Sequence, residues 1–280
     1  MTLNVLAAVQ LPSIARFREG LRKESQFSVN LVTDIDKARE ALEDPAKQTD
    51  VFVIDSNLGD VYEVIKEVRH TYPRLIIVLV DENADFAMPG RADDVSTQPF
   101  ENDDLITRIK RLNEDRRLQT LRADALPPVR SFAKSLLKAN KGQSKQQAAV
   151  EAVQELGYDY VAFYSVTNTQ PPIMSLIAQV GANDATREAP QKLPYDQSLV
   201  GWVAQNGQSR TISPADEPTH PFIKNKKFGA GVCVPVGTTL RFGVMFAAKA
   251  GEGSISQENV MMLELVSAQL ASALAKDQRP

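Results

Sequence analysis

The residue best placed for chemistry is Asp55, which ends the apolar run Val51-Phe52-Val53-Ile54. Four apolar residues are too few for an independent helix. They read as a strand buried on both faces, with the carboxylate at its carboxyl end. In an open parallel sheet that end is where function gathers. A carboxylate there is a functional candidate if the partners its chemistry needs stand beside it. Without them it is a strand-end acceptor for backbone N–H groups. The remaining candidates are few. Cys233 is the one cysteine, which excludes an intrachain disulfide and a multi-cysteine zinc site. Lying between valines in mid-strand, it reads as a small buried hydrophobe. His70 and His220 are far apart in sequence, lack ligand-like companions, and are assigned packing or surface roles. There is no Walker loop, no dinucleotide glycine fingerprint and no Ser/His/Asp pattern.

The elements that must hold these residues fit two domains, the expectation for 280 residues. Apolar residues at 43% and charged residues at 24% are ordinary for a globular chain. A net charge of −3 offers no electrostatic footprint for nucleic acid. No apolar run reaches membrane-spanning length, and the N-terminus lacks a secretory pattern, so neither a membrane nor a nucleic-acid partner is expected and the expected location is cytoplasmic.

Strands are expected at 3–9, 27–32, 51–54, 75–80 and 95–97. Between them, Ile14, Phe17 and Leu21 share a helical face, as do Ala38, Ala41 and Leu42, and then Val61, Val64, Ile65 and Val68. Asn83–Gly90 is short and contains Pro89, so any helix there is stunted. Leu105, Ile106, Ile109 and Leu112 face inward from a last helix. Strand and helix alternate and two strands are apolar throughout, which implies a doubly wound α/β domain on a parallel sheet.

Residues 1–113 resemble the receiver domain of bacterial response regulators. The resemblance is carried by Asp55 after an apolar strand and by Arg91-Ala-Asp-Asp-Val-Ser-Thr-Gln98-Pro99-Phe100. It implies a flavodoxin-like sheet. It also implies a phosphoryl-accepting aspartate, an acidic pair after strand one for magnesium, a hydroxyl after strand four and a lysine after strand five. Of these groups only Asp55 is present. The acidic pair is replaced around Gln10, the hydroxyl by Val80 and the lysine by Gln98. Asp81 and Glu82 would add repulsion. The expectation is a pseudo-receiver that docks a partner or dimerises, with magnesium relevant only if Asp55 is phosphorylated.

Asp103–Leu126 reads as one long helix, with 114–128 as linker and Pro127-Pro128 as its stop. Leu105, Ile109 and Leu112 fit a seam that Arg116 and Gln119 interrupt, while Leu118 and Leu121 continue on a shifted face. A solvated bridging helix and a short dimeric coiled coil both fit.

In residues 129–280, helices are expected at 131–139, 146–156 and from Ser198, with a final helix after the N-cap Ser256. Strands are expected at 160–166, 174–180, 210–212, 230–236 and 242–248, the last two joined as a hairpin by Gly237–Arg241. The polar stretch before Leu193 and the segment Pro214–Phe228 read as loops. This is an α+β plan with an antiparallel sheet. It resembles a GAF (PAS-like) domain, through Leu193-Pro-Tyr-Asp-Gln-Ser-Leu-Val-Gly-Trp-Val-Ala-Gln-Asn-Gly207, Val232-Cys-Val-Pro-Val, Phe242-Gly-Val-Met and Ile255-Ser-Gln-Glu.

The GAF resemblance implies a small-ligand pocket between the sheet and the excursion helices. Tyr164, Tyr195, Trp202, Phe228 and Cys233 are candidate walls, and each also reads as core. The cysteine context of bilin attachment is absent. Asn225-Lys226 lacks the rest of the set associated with cyclic-nucleotide binding. A single cysteine argues against methionine sulfoxide reduction. The expected protein is a non-catalytic two-component-type signalling adaptor. It has no cofactor beyond an unknown small ligand in the GAF pocket. Its partner is a signalling protein such as a histidine kinase, and it forms a homodimer. The alternatives are a phosphorylatable response regulator that uses Asp55 with a GAF output, and a ligand-free dimeric scaffold.

Overall fold

The computed structural model describes residues 2–83, 91–123, 127–139, 144–167, 169–216, 219–237, 240–251 and 255–277. The chain divides into two compact units, Met1–Gln119 and Thr120–Pro280.

The first unit holds β1 (Leu3–Ala8), α1 (Ile14–Arg22), β2 (Phe27–Val32), α2 (Ile35–Glu43), β3 (Val51–Asp55), α3 (Val61–Thr71), β4 (Ile76–Val80), β5 (Asp94–Ser96) and α4 (Asp104–Ala123) as far as Gln119. The sheet order is β2-β1-β3-β4-β5 with every pairing parallel, which is compatible with a flavodoxin-like fold. β3 and β4 are buried at every residue, as their unbroken apolar runs require. Val5, Val51, Val53, Val78 and Val80 share one face with Phe17 and Leu21 of α1 and Leu105 and Ile109 of α4. The alternate residues Leu6, Phe52, Ile54, Ile77 and Leu79 are buried on the other.

Two devices fix the helices to this sheet. Arg69 of α3 is buried and donates to Pro73 O at 3.1 Å, Leu75 O at 2.7 Å and Asp93 Oδ2 at 2.6 Å. Phe100 meets Phe17 edge-on at 4.9 Å, and a Cβ on Gly20 would lie 2.7 Å from its ring. Glycine at position 20 lets the aromatic ring approach α1.

The expected stunted helix over Asn83–Gly90 lies outside the described residues except for Asn83, and so does the end of the linker helix at Leu126. One expectation is corrected. Pro127-Pro128 opens α5 (Pro127–Lys138), which therefore starts earlier than Ser131. Proline suits a first turn because its missing N–H has no intrahelical partner there.

The second unit continues with α6 (Lys145–Gln154), β6 (Tyr160–Thr167), β7 (Ile173–Gly181), α7 (Asn183–Glu188), β8 (Lys192–Pro194), α8 (Leu199–Asn206), β9 (Arg210–Ile212), α9 (Pro221–Lys224), β10 (Ala230–Val236), β11 (Gly243–Lys249) and α10 (Gln257–Asp277). The sheet is antiparallel in the order β8-β7-β6-β11-β10-β9. One face buries Val161, Phe163, Val232, Val234 and Met245 against Phe132 of α5, Val150 and Val153 of α6, and Leu263, Val266 and Leu270 of α10. α10 starts as expected: Ser256 Oγ accepts from Asn259 N at 3.2 Å while Asn259 Oδ1 accepts from Ser256 N at 3.1 Å. α7, β8 and α9 occupy stretches expected to be loops. The hairpin joint includes residues 238 and 239, outside the described residues. The opposite face of the sheet carries the second candidate site.

Candidate functional site

At the carboxyl end of β3, Asp55 is 4% exposed and caps the turn Ser56–Leu58. Its Oδ1 accepts from Asn57 N at 3.0 Å and from Asn57 Nδ2 at 2.8 Å. Asn57 in turn ties neighbouring strand ends together. Its backbone oxygen accepts from Gln10 Nε2 at 2.6 Å, after β1, and its Oδ1 accepts from Asn83 Nδ2 at 3.4 Å, after β4. Gln10, Asp55 and Asn83 therefore meet through one asparagine. Val80 pairs with Asp55 across the sheet and is buried in the apolar cluster, where it has no donor to offer. Gln98 is exposed. Glu82, expected to repel, pairs with Arg16 at 3.0 Å, and the Arg16 guanidinium also lies 4.7 Å from the centre of the Phe100 ring. The arrangement satisfies a carboxylate with amide donors. Among the described residues no group of His, Cys, Asp or Glu is placed to hold a metal ion.

In the second unit the face of the sheet away from α10 is filled with rings. His220 is buried and stacks on Phe246 with centroids 3.8 Å apart and planes at 13°. Tyr160 meets Phe222 edge-on at 5.1 Å and stacks on Phe228 at 6.0 Å. Hydrogen bonds fix the imidazole. Its Nδ1 accepts from Phe222 N at 3.2 Å, so Nε2 carries the proton and donates to Tyr164 Oη at 3.4 Å. Tyr164 Oη in turn donates to Pro190 O at 3.1 Å. Burial lowers the His220 pKa to about 3, so the ring is neutral at ordinary pH. Burial likewise pushes the Tyr164 and Tyr160 hydroxyls and the Cys233 thiol well above their usual range.

The expected wall residues divide. Tyr164, Phe228 and Cys233 are buried in or beside the ring cluster. Trp202 is buried on α8, with the Arg210 guanidinium 5.2 Å from its ring centre. Tyr195 is partly exposed in the turn before α8, where its carbonyl accepts from Gln205 Nε2 at 2.7 Å. That carbonyl would be 1.9 Å from a Cβ at Gly201, so the turn demands glycine on α8. His220, Phe222 and Phe246 were not singled out as walls. The signal available was His220-Pro221 followed by Phe222-Ile223, a cap and a proline opening an apolar turn.

Beside the rings, a cavity of about 540 Å³ opens between α7 and α9, lined by Asp184, Glu188, Pro190, Pro221, Phe222 and Lys227 among others. Lys227 Nζ pairs with Asp184 at 3.3 Å and with Glu188, and lies 5.5 Å from the centre of the Phe222 ring.

An antiparallel sheet with long helices on one face and an excursion of short elements enclosing the other is an α+β domain. Residues 146–275 match the family model of the GAF domain, and this part of the chain is a GAF domain, in general a signalling and ligand-sensing module. Among solved structures the chain is similar to the GAF domain from the Acinetobacter phosphoenolpyruvate-protein phosphotransferase, at 16% identity over 53% of this chain and 92% of that one, with a TM-score of 0.42. It is also similar to free methionine-R-sulfoxide reductase from Neisseria meningitidis, at 14% identity over 53% and 88%, with a TM-score of 0.45. A third is the second GAF domain of DevS from Mycobacterium smegmatis, at 21% identity over 48% and 94%, with a TM-score of 0.38. A search of curated proteins finds no match to the chain. Among the described residues no helix is long and apolar enough to cross a membrane.

Proposed function

We propose that the protein is a non-catalytic signalling adaptor of two-component type. The first unit is a pseudo-receiver of flavodoxin-like fold that docks a protein partner, and the GAF domain is the sensory half. One observation carries this reading: Asp55 is engaged by Asn57, with Val80 and Gln98 where a phosphoryl group would need a hydroxyl and a cation. Phosphoryl transfer depends on metal and cationic donors that offset charge developing on oxygen. Amide donors from Asn57 supply neither. A non-catalytic GAF domain is supported by its buried titratable groups. Both nitrogens of His220 and the hydroxyl of Tyr164 are held within the ring cluster.

The test is incubation with acetyl phosphate and magnesium followed by intact-mass measurement. The wild-type chain is expected to keep its mass. A stoichiometric phosphoryl adduct that disappears in Asp55→Asn would replace this reading with that of a phosphorylatable regulator whose output is the GAF domain. The sensory half is tested separately, by thermal shift against nucleotides and metabolites. A ligand at a hundredfold its dissociation constant stabilises by about 2.7 kcal/mol. The cavity beside Phe222 is the space in which an effector is expected.

A further inference from the structure

A groove of about 640 Å³ runs along the helical layer of the second unit, on the side of the sheet away from the ring cluster. Ala133 and Leu136 of α5 and Leu265 and Ala268 of α10 are among its walls, and so are Lys145, Lys276 and Asp277. Apolar and charged walls are separated along its length. At one end of the packed pair α5 and α10, Val129 joins Met262 and Leu265 in a small apolar cluster. At the other end Lys145, the first residue of α6, donates to Ala273 O at 3.3 Å and pairs with Asp277 at 2.6 Å. Lys276 is exposed beside them. Leu265 and Lys276 lie on one side of α10, roughly three turns or 16 Å apart. The groove is therefore apolar at one end and charged at the other.

The charges at the polar end set the sign of what can sit there. Two lysines face one aspartate among the lining residues. The helix ends offset each other, because α10 presents its carboxyl end there and α6 its amino end. A carboxylate brought to Lys276 meets a net positive surrounding, and an alkyl chain behind it meets Leu136, Leu265 and Ala268. Ala268 and Ser272 are exposed and small, which keeps the trough beside α5 open. The volume is that of a small-molecule site. Separation of an apolar end from a charged end suits a tail and a head, whereas an amphipathic helix carries its charges along its whole length. We propose that the groove binds a free long-chain carboxylate, with its alkyl tail toward Leu265 and its head group at Lys276. The site is distinct from the cavity beside Phe222, which lies on the opposite face of the sheet. It also stands apart from the adaptor reading: a chain phosphorylated on Asp55 would carry the same groove, so the mass assay and the experiment below fail independently.

Isothermal titration of the full chain with octanoate, decanoate and dodecanoate, each below its micelle concentration, gives the test. One molecule is expected to bind per chain, with affinity rising roughly tenfold for every two methylenes added. Decanol keeps the tail and lacks the charge, and is expected to bind roughly tenfold more weakly than decanoate. Ala268→Trp fills the groove and is expected to abolish binding. Lys276→Glu is expected to lower the decanoate affinity at least roughly tenfold and to remove its advantage over decanol. Circular dichroism verifies folding, and Ser272→Trp replaces Ala268→Trp if that variant fails to fold. Silence across the series, or an affinity indifferent to chain length or to charge, would overturn the proposal. So would binding that persists in the groove-filling variant, which would place the carboxylate elsewhere, as in the cavity beside Phe222. A chain that ignores the free acids and instead sediments with anionic vesicles or takes up an acidic helical peptide would overturn it as well.

Discussion

The strand end around Asp55 and the ring face around His220 both hold buried ionisable groups, and they hold them differently. Asp55 is satisfied locally: its acceptor is met by a residue two positions on, at the rim of the sheet. His220 is satisfied locally at Nδ1, by Phe222 N, but at a distance at Nε2, by Tyr164 of strand β6, whose own hydroxyl donates to Pro190 O before β8. Local satisfaction survives when surrounding side chains change, so the strand end can keep its geometry whatever residues stand around it. Long-range satisfaction in an apolar face ties polarity to tertiary packing, and a change there is felt throughout the domain.

The largest expected difference follows from the rings. Phe246→Ala removes the surface on which His220 stacks and leaves a void within the sheet's aromatic face. Urea denaturation should show a loss of about 3–5 kcal/mol, the range for a buried phenylalanine. A loss under 1 kcal/mol would mean that the face collapses easily, and the contrast with the strand end would fail.

Next in size is a dependence on pH. His220 has a folded pKa of about 3, below the usual 6.5 of the unfolded chain. Between those values the unfolded state binds the additional proton, so stability rises with pH. The contribution is complete above the unfolded value and is lost as pH falls from 6.5 towards 3, at up to about 1.4 kcal/mol per pH unit. His220→Gln should flatten that slope in urea titrations at successive pH values, even where its stability at neutral pH is lower. An unchanged slope would place the titration in other groups.

The parts of this contrast that were legible in the sequence follow physical rules of range. β3 and β4 were readable because a strand covered on both faces must be apolar at every position. The N-cap Ser256 was readable because capping is local. Capture of Asp55 by Asn57 was half readable: a backbone acceptor role was expected, and an aspartate followed two residues later by asparagine favours such a turn. α7, β8 and α9 were not readable, since elements of three to six residues are held by what they pack on rather than by propensity. Pro127-Pro128 was misread because proline both ends helices and opens them. The burial of His220 was hidden for a deeper reason. Nothing near position 220 announces that Phe246 and Tyr164 will face it.

At the strand end a smaller effect is expected. Asn57→Ala keeps the backbone donor to Asp55 and removes the amide donor, along with the acceptor for Asn83. A net intramolecular hydrogen bond is worth about 1 kcal/mol, so denaturation should show a loss near that figure with the cooperativity unchanged. A loss matching that of Phe246→Ala would erase the distinction between local and long-range satisfaction.

The smallest effect concerns how the ring face is closed. After α9 the chain turns back sharply, with Lys227 N and Phe228 N both donating to Phe222 O, at 2.9 and 3.2 Å. That reversal places Phe228 on Tyr160 and puts Lys226 at φ 54°, in the left-handed region. A side chain there costs roughly 1–2 kcal/mol in steric strain. Glycine would relieve it but loses roughly 0.5–1 kcal/mol more conformational entropy on folding. Lys226 is exposed, so little else changes on substitution. Lys226→Gly should therefore stabilise the domain by about 0.5 kcal/mol, the difference between those two effects, read as a higher urea midpoint at constant slope. A lower midpoint would show that the lysine side chain itself holds the turn. Closure of the ring face would then depend on the loop's surface contacts as well as on the aromatic residues beneath it.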